Sequence, residues 1–167
     1  MLRRTLLCSA IAAAVSPAWA QTTTAAPSAA QTEAPELQEF TPTNALERTF
    51  IAAYRNAAMR PAFRRQFLES HVLVVTTSNA PDAPPRVMAM RGADNVALIF
   101  TSGALLDARM GPATPRTAMT GRAALQRLSQ NHVVINAGYA PTLTLDPPGV
   151  AGFLEIPATP DSAGPSQ

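Results

Sequence analysis

Two tracts with almost no large apolar residues bracket the part of this chain that can fold. Residues 21–40 are mostly Thr, Ala, Pro, Ser, Gln and Glu, and residues 158–167 have the same character. Neither tract can bury enough apolar surface to offset the entropy cost of ordering, so both are predicted to be disordered. About 115 residues lie between them, enough for one compact domain and too few for two. We therefore expect a single domain over residues 41–157.

The first twenty residues have the order of a bacterial secretory signal peptide. A basic start at Arg3 and Arg4 is followed by a short apolar run over residues 5–16 and then by Ala18-Trp19-Ala20, which fits an A-x-A cleavage site. The apolar run is well short of the roughly 20 residues that a membrane-spanning helix needs. We expect cleavage after residue 20, a periplasmic mature chain and no stable membrane insertion, by either the Sec or the twin-arginine route.

Removal of this signal peptide would change the charge and thiol content of the chain. Lys and Arg together number 13, all of them Arg, against 11 acidic residues. Loss of Arg3 and Arg4 leaves equal numbers of each sign, so the basic isoelectric point belongs to the precursor and a nucleic-acid partner is not expected. Cys8 is the single cysteine. The mature chain would therefore have neither a disulfide nor thiol chemistry.

The domain is predicted to open with two helices. Asn44 and Glu47 have the spacing of a capping box, in which Glu47 reaches back to the helix start, and Pro61 suits the first turn of a second helix. Each helix has one apolar face at helical spacing. These faces are formed by Leu46, Phe50, Ile51 and Tyr54 in the first helix and by Phe63, Phe67 and Leu68 in the second.

Strand-like and helix-like segments follow the helical pair. Apolar and β-branched runs predict strands at residues 71–77, 86–91, 96–101, 133–136 and 142–145. Short helices are predicted at residues 104–110, 121–128 and 150–156, with Ser102 and Asp146 as N-caps. This order predicts an α+β fold, a mixed β-sheet packed against an N-terminal helical pair and short crossover helices. One buried cluster is expected from Phe50, Tyr54, Phe63, Phe67, Leu73, Val75, Phe100 and Ile135.

The order and spacing of several short motifs resemble the amino-terminal domain of the SseB family, bacterial proteins named for an enhanced-serine-sensitivity phenotype. The motifs are NALE at residues 44–47, RPAF at 60–63, HVLVV at 71–75, IFTS at 99–102, GRAAL at 121–125, VINAG at 134–138 and LTL at 143–145. The family usually has Asn-Pro-Gly where this chain has Asn136-Ala137-Gly138. The resemblance implies the fold and a non-catalytic module, here as a secreted, single-domain member. It supplies no catalytic residues.

Polar residues follow two of the predicted strands. Thr101 and Ser102 end one strand, and Asn136 and Gly138 follow another. Ligands of open α/β sheets tend to lie at the carboxyl ends of strands, so these residues are candidates for a small cleft that binds a protein or a small molecule. Arg122, in the first turn of a helix, is a further candidate for gripping an anion. The alternative is that Ser102 only caps its helix, Asn136 and Gly138 only form a turn, and the arginines form a solvated face.

Catalytic and metal chemistry find little support in the sequence. His71 and His132 each begin a predicted strand, which we expect to place them at the opposite end of the sheet from Ser102, and no Gly-x-Ser-x-Gly motif is present. Met88 and Met90 are two residues apart, so they lie on the same face of the predicted strand. Their thioethers could bind copper(I), but packing in the core is the better explanation. No cofactor and no metal are therefore expected.

Three functional hypotheses remain open. The first is a periplasmic binding or interaction module without catalysis that uses the cleft near Ser102 and Asn136. The second is a small periplasmic hydrolase using the same cleft, for which Arg91, Asp107 and Arg122 are the plausible ionisable residues. The third is an assembly or immunity-type protein whose contact surface is the helical pair, residues 46–68.

Overall fold

A computed structural model describes residues 37–90 and 93–155 of the chain. The predicted signal peptide, the linker up to residue 36, Arg91 and the predicted tail lie outside the described residues. In chain order the elements are β1 (Gln38–Glu39), α1 (Ala45–Arg55), a 3-10 helix (Ala57–Met59), α2 (Arg60–Glu69), β2 (His71–Val75), β3 (Val87–Met90), β4 (Ala93–Phe100), α3 (Gly103–Met110), β5 (Arg116–Thr120), α4 (Gly121–Arg127), β6 (His132–Ile135), β7 (Tyr139–Ala140), β8 (Leu143–Leu145) and α5 (Pro147–Leu154). Within the described ranges, no helix has the length and apolarity to cross a membrane.

The main sheet is mixed and has the strand order β5-β2-β4-β6-β8. β4 and β6 run parallel, whereas the neighbouring pairs β5–β2, β2–β4 and β6–β8 run antiparallel. The first half of β4 also pairs with β3, and β1 and β7 form a small parallel sheet of their own. The predicted α+β fold with a mixed sheet and a helical pair is confirmed.

Side chains of alternate strand residues form two separate apolar clusters, one on each face of the sheet. The first cluster packs α1, α2, α4 and α5 on one face, and the second packs α3 on the other. The expectation of one cluster is therefore wrong. Phe50, Phe63, Phe67 and Ile135 belong to the first cluster, while Leu73, Val75 and Phe100 belong to the second, because successive strand residues point to opposite faces. Tyr54 belongs to neither and is 67% exposed.

The β5 strand and the β3–β4 hairpin depart from the sequence-based expectations. β5 was not predicted, because its sequence RTAMT has few apolar residues and the strand is specified by pairing with β2. A register shift between Met88 and Met90 breaks the alternation of β3. Met88 packs against the second cluster, whereas Met90 is 43% exposed, so core packing is wrong for Met90.

Short polar side chains define the helix starts, largely as the sequence predicts. The side chains of Asn44, Ser102 and Asp146 accept hydrogen bonds from backbone N–H groups in the first turns of α1, α3 and α5, at 2.8, 3.4 and 2.8 Å. Such caps satisfy N–H groups that lack a partner within the helix. At the start of α4, a side chain on Gly121 would overlap the carbonyl oxygen of Phe67. Glycine there lets α4 pack directly against α2.

Candidate functional site

The two strands that carry the predicted cleft residues are neighbours. β4 and β6 are parallel, with Ile99 opposite Ile135, so Thr101 and Asn136 meet just beyond the strand ends. The Asn136 side-chain oxygen accepts from the Thr101 backbone N–H at 3.0 Å, and its amide nitrogen donates to the Thr101 hydroxyl at 3.0 Å. Asn136 has a φ of 55°, a left-handed conformation that asparagine tolerates better than most residues. Its side chain thereby ties the two strand ends together.

A buried carboxylate from α1 completes this group. Glu47 is fully buried, and its Oε2 accepts from the backbone N–H of Thr43 at 2.7 Å and from the Thr43 hydroxyl at 2.9 Å. Its Oε1 lies 3.2 Å from the Thr101 hydroxyl oxygen. We call Thr43, Glu47, Thr101 and Asn136 the polar cluster. The cluster joins the start of α1 to the ends of β4 and β6.

Sequence reasoning missed the role of Glu47 in the polar cluster, and with it that of Thr43. The position of Glu47 three residues after Asn44 predicted only a local capping role, with a hydrogen bond back to the Asn44 backbone. The carboxylate instead reaches Thr43 and, across 54 positions of sequence, Thr101. A carboxylate on the otherwise apolar face of α1, close in sequence to Leu46 and Phe50, was the available signal.

Glu47 remains ionised at neutral pH although it is buried. Burial alone would raise its pKa, but hydrogen bonds from the Thr43 backbone and from the hydroxyls of Ser102, Thr43 and Thr101 outweigh burial and lower the pKa below its usual value. Donors that bind the charged form of a carboxylate favour that form.

Of the other predicted site residues, Gly138 lies near the polar cluster and Arg122 lies apart from it. Gly138 has a φ of 87° and packs against the Arg109 side chain, while its carbonyl accepts from the Gln38 backbone at 3.0 Å. The N-terminal strand β1 thus covers the turn that follows β6. Arg122 is exposed in the first turn of α4, the helix that directly follows the outer strand β5. The fold brings Thr101, Ser102 and Asn136 together with Gly138 nearby, but leaves Arg122 apart.

The two histidines lie at opposite ends of the sheet. β2 runs antiparallel to β4, so His71 begins β2 at the same end as Ser102, and the expectation that it lies at the far end is wrong. β6 runs parallel to β4, so His132 lies at the far end as predicted. The His71 side chain is exposed. Among the described residues, no hydrogen bond joins it to Ser102.

A separate cavity of about 670 Å³ lies between the helical pair and the β8–α5 segment. We call it the aromatic pocket. Its apolar walls are formed by Phe50, Ala53, Phe63, Leu143, Leu145 and Phe153. Phe50 and Phe63 stack with ring centroids 4.6 Å apart, and Phe153 meets Phe63 edge-on at 6.3 Å. Sequence reasoning did not predict this cavity.

Three arginines of α2 line the same pocket with different roles. Arg64 donates from Nε to the Phe153 carbonyl at 2.8 Å and also donates to the Gly152 carbonyl, with its guanidinium 5.5 Å from the centroid of the Phe153 ring. It therefore satisfies carbonyls at the end of α5 and does not belong to a merely solvated face. Arg60 and Arg65 are exposed at the rim with Tyr54. No acidic side chain of the described residues lines the pocket.

Comparison with protein families shows which family this domain belongs to. A family model, the SseB protein N-terminal domain, matches residues 46–152, which is well over half of the chain. The chain belongs to the SseB family. The match spans Glu47, Thr101 and Asn136 of the polar cluster and most walls of the aromatic pocket. Comparison with curated proteins and with solved structures gave no match.

The chemistry available to this SseB domain differs between its two regions. In the polar cluster, a carboxylate of lowered pKa is a weak general base, and its donors already occupy it. In the part of the chain that the structure describes, no group of three or more His, Cys, Asp or Glu side chains could hold a metal ion. The aromatic pocket offers apolar surface and two cationic rim groups, which suit binding of a ligand.

Proposed function

We propose that this SseB domain is a periplasmic binding module that acts without catalysis, and that the aromatic pocket is its binding surface. The supporting observation is the combination of an open apolar cavity of about 670 Å³ with exposed Arg60 and Arg65 at its rim. Small-molecule sites typically have volumes of about 300–1,000 Å³ and mostly apolar walls with a few polar groups. The aromatic pocket has both properties.

The polar cluster is less suited to binding, because its groups already have partners. Within the described residues, no buried side-chain nitrogen or oxygen lacks a hydrogen-bond partner. A ligand would have to displace the Thr43 and Thr101 hydroxyls from Glu47 before it could contact the carboxylate. This cost argues against the cleft near Ser102 and Asn136 as a binding site and against the hydrolase alternative.

A second candidate function, an assembly-type contact with another protein, is favoured by exposed apolar side chains on the helical pair. Tyr54 is 67% exposed and lies at the pocket rim, and Met59 in the adjoining 3-10 helix is 38% exposed. Tyrosine and methionine are enriched at protein interfaces. Under this alternative, a partner would cover the helical pair together with the pocket.

A titration followed by backbone-amide NMR tests the binding role. The mature protein is mixed with the small-molecule and the protein fractions of a periplasmic extract. We expect signal shifts that map to the pocket with the small-molecule fraction, and that weaken in Tyr54→Ser but persist in Val87→Ser, a matched loss of an exposed apolar side chain on β3. Shifts confined to the protein fraction would favour the assembly role, and shifts centred on Ser102 and Asn136 would contradict the proposal.

Two further measurements test the periplasmic and non-catalytic parts. The protein recovered from the periplasmic fraction should begin at Gln21, because Ala18 and Ala20 fit the cleavage site; a chain that keeps Met1 in the cytoplasm would contradict export. The purified protein should not turn over p-nitrophenyl esters. Ester turnover that is lost in Ser102→Ala would support the hydrolase alternative instead.

A further inference from the structure

The geometry points to an anionic amphiphile, a single aliphatic chain ending in a carboxylate, as the ligand of the aromatic pocket. This inference rests on the proposed binding function and specifies the chemistry that the site recognises. It depends on two observations: walls that are almost entirely apolar, and rim charges of one sign only.

The walls of the pocket match an aliphatic chain. Phe50 and Phe63 are stacked and buried, and Leu143, Leu145 and Phe153 are half-buried on the opposite side. Thr142 and, at the rim, Tyr54 provide the uncharged polar side chains among the lining residues. A chain of methylenes would lose no hydrogen bonds on entering such walls, whereas a polar ligand body would lose its hydration without compensation.

The rim of the pocket matches an anionic head group. Arg60 and Arg65 are exposed, and in the residues that the structure describes neither has an acidic side chain within salt-bridge distance. Arginine presents a planar fork of N–H donors that fits a carboxylate. The Tyr54 hydroxyl at the same rim offers one more donor.

The surrounding charges of the helical pair reinforce this preference. Arg48 and Arg55 of α1 are exposed like Arg60 and Arg65, whereas Glu47 is buried, which leaves Glu69 as the exposed acid of residues 45–69. The helical pair is therefore basic, with five arginines against two acidic residues. Aromatic rings can also bind cations, but these arginines repel a cationic ligand, and the Phe153 ring already contacts the Arg64 guanidinium.

Calorimetric titration of the full mature chain with ligands of one chain length tests the inference. Dodecanoate, dodecanol and dodecyltrimethylammonium are compared near neutral pH, below the solubility limit of dodecanol and the micelle concentrations of the two ionic ligands. We expect dodecanoate to bind about tenfold more tightly than dodecanol, equivalent to ~1.4 kcal/mol, and the cation to bind most weakly. Shortening the carboxylate should weaken binding about fourfold per methylene removed, equivalent to ~0.8 kcal/mol.

Matched charge variants identify the head-group site. The double variant Arg60→Gln/Arg65→Gln should bind dodecanoate and dodecanol equally, while Arg48→Gln/Arg86→Gln, which has the same net charge, should keep the preference. Circular dichroism of both variants checks that they fold. An equal loss in both variants would overturn the pocket-specific role of Arg60 and Arg65, because it would show a general effect of charge.

The outcomes separate this inference from the proposed function. Equal binding of dodecanol, or tighter binding of the cation, overturns the anionic ligand but leaves a pocket that binds chains. Absence of binding by all three, with extract-induced NMR shifts still at the pocket, overturns the amphiphile alone. If dodecanoate binding weakens as the protein concentration is raised, a second copy of the chain occupies the pocket. If dodecanoate binds more tightly to Ile156→Asp, the segment of the chain that follows α5 occupies the pocket. Both results contradict an external ligand.

Discussion

Glu47 and Tyr54 lie on the same helix, about two turns apart, in contrasting surroundings. Glu47 is fully buried, and its carboxylate accepts hydrogen bonds from Thr43, just before α1, and from Thr101, at the end of β4. Tyr54 is 67% exposed at the rim of the aromatic pocket, next to two arginines without acidic partners in the described residues. Buried polar groups must be satisfied within the fold, whereas exposed unsatisfied groups remain available to a ligand. The polar cluster is thus architectural, and the pocket is the better candidate for function.

The largest effect that distinguishes the two regions is expected from Glu47→Ala. The change removes the acceptor of two hydrogen bonds from Thr43 and leaves the fully buried position of the carboxylate empty, and a hydrogen bond to a charged group contributes about 1.5–3 kcal/mol. We expect a loss of about 3 kcal/mol or more in the free energy of unfolding, against a total of about 5–15 kcal/mol for a domain. Urea unfolding measures it, with Arg48→Ala on the exposed side of α1 as the control. A loss as small as the control's would mean that the cluster contributes little to stability.

Acidification should weaken the polar cluster specifically. The folded-state pKa of Glu47 is lowered, so the ionised side chain contributes stability that is fully present above its unfolded pKa, near 4.5, and is lost as the pH falls through the lower folded value. Glu47→Gln removes this titration. Unfolding curves from neutral to acidic pH should show a shallower acid loss in Glu47→Gln than in the natural sequence. Parallel curves for the two proteins would contradict the lowered pKa.

A smaller effect is expected from Ser102→Ala, which removes the cap of α3. Loss of an N-cap costs about 1 kcal/mol, and urea unfolding can resolve that change. Ligand binding at the pocket should be unchanged, because Ser102 does not line it. If stability is nearly unchanged while binding is lost, the division between an architectural cluster and a functional pocket is wrong.

The sequence predicts local features of the fold well. Asn44, Ser102 and Asp146 were assigned as caps because their short polar side chains precede apolar periodic segments, and each accepts the expected backbone hydrogen bond. The helical pair follows from spacing in the same way. These features depend on residues a few positions apart, which one sequence contains in full.

Features that depend on distant contacts were predicted less well. The strand β5 is specified by its pairing with β2. The position of His71 at one end of the sheet depends on whether β2 is parallel or antiparallel to β4. The polar cluster joins Glu47 to Thr101 across 54 positions. The pocket forms only because the strand order brings β8 and α5 beside α2. Tyr54 extends the apolar spacing of α1, but the buried face ends at Ala53.

The hydrogen bonds from Arg64 to the end of α5 bear on how the pocket would respond to a ligand. Asp146 fixes the start of α5 and Arg64 fixes its end, so the helix that carries Phe153 is held at both termini before any ligand arrives. A preformed wall of this kind spares a ligand much of the entropy cost of ordering its site. Association should then proceed with little backbone rearrangement, as in other rigid complexes. The affinity of this SseB domain for its ligand would accordingly be set by the dissociation rate of the ligand.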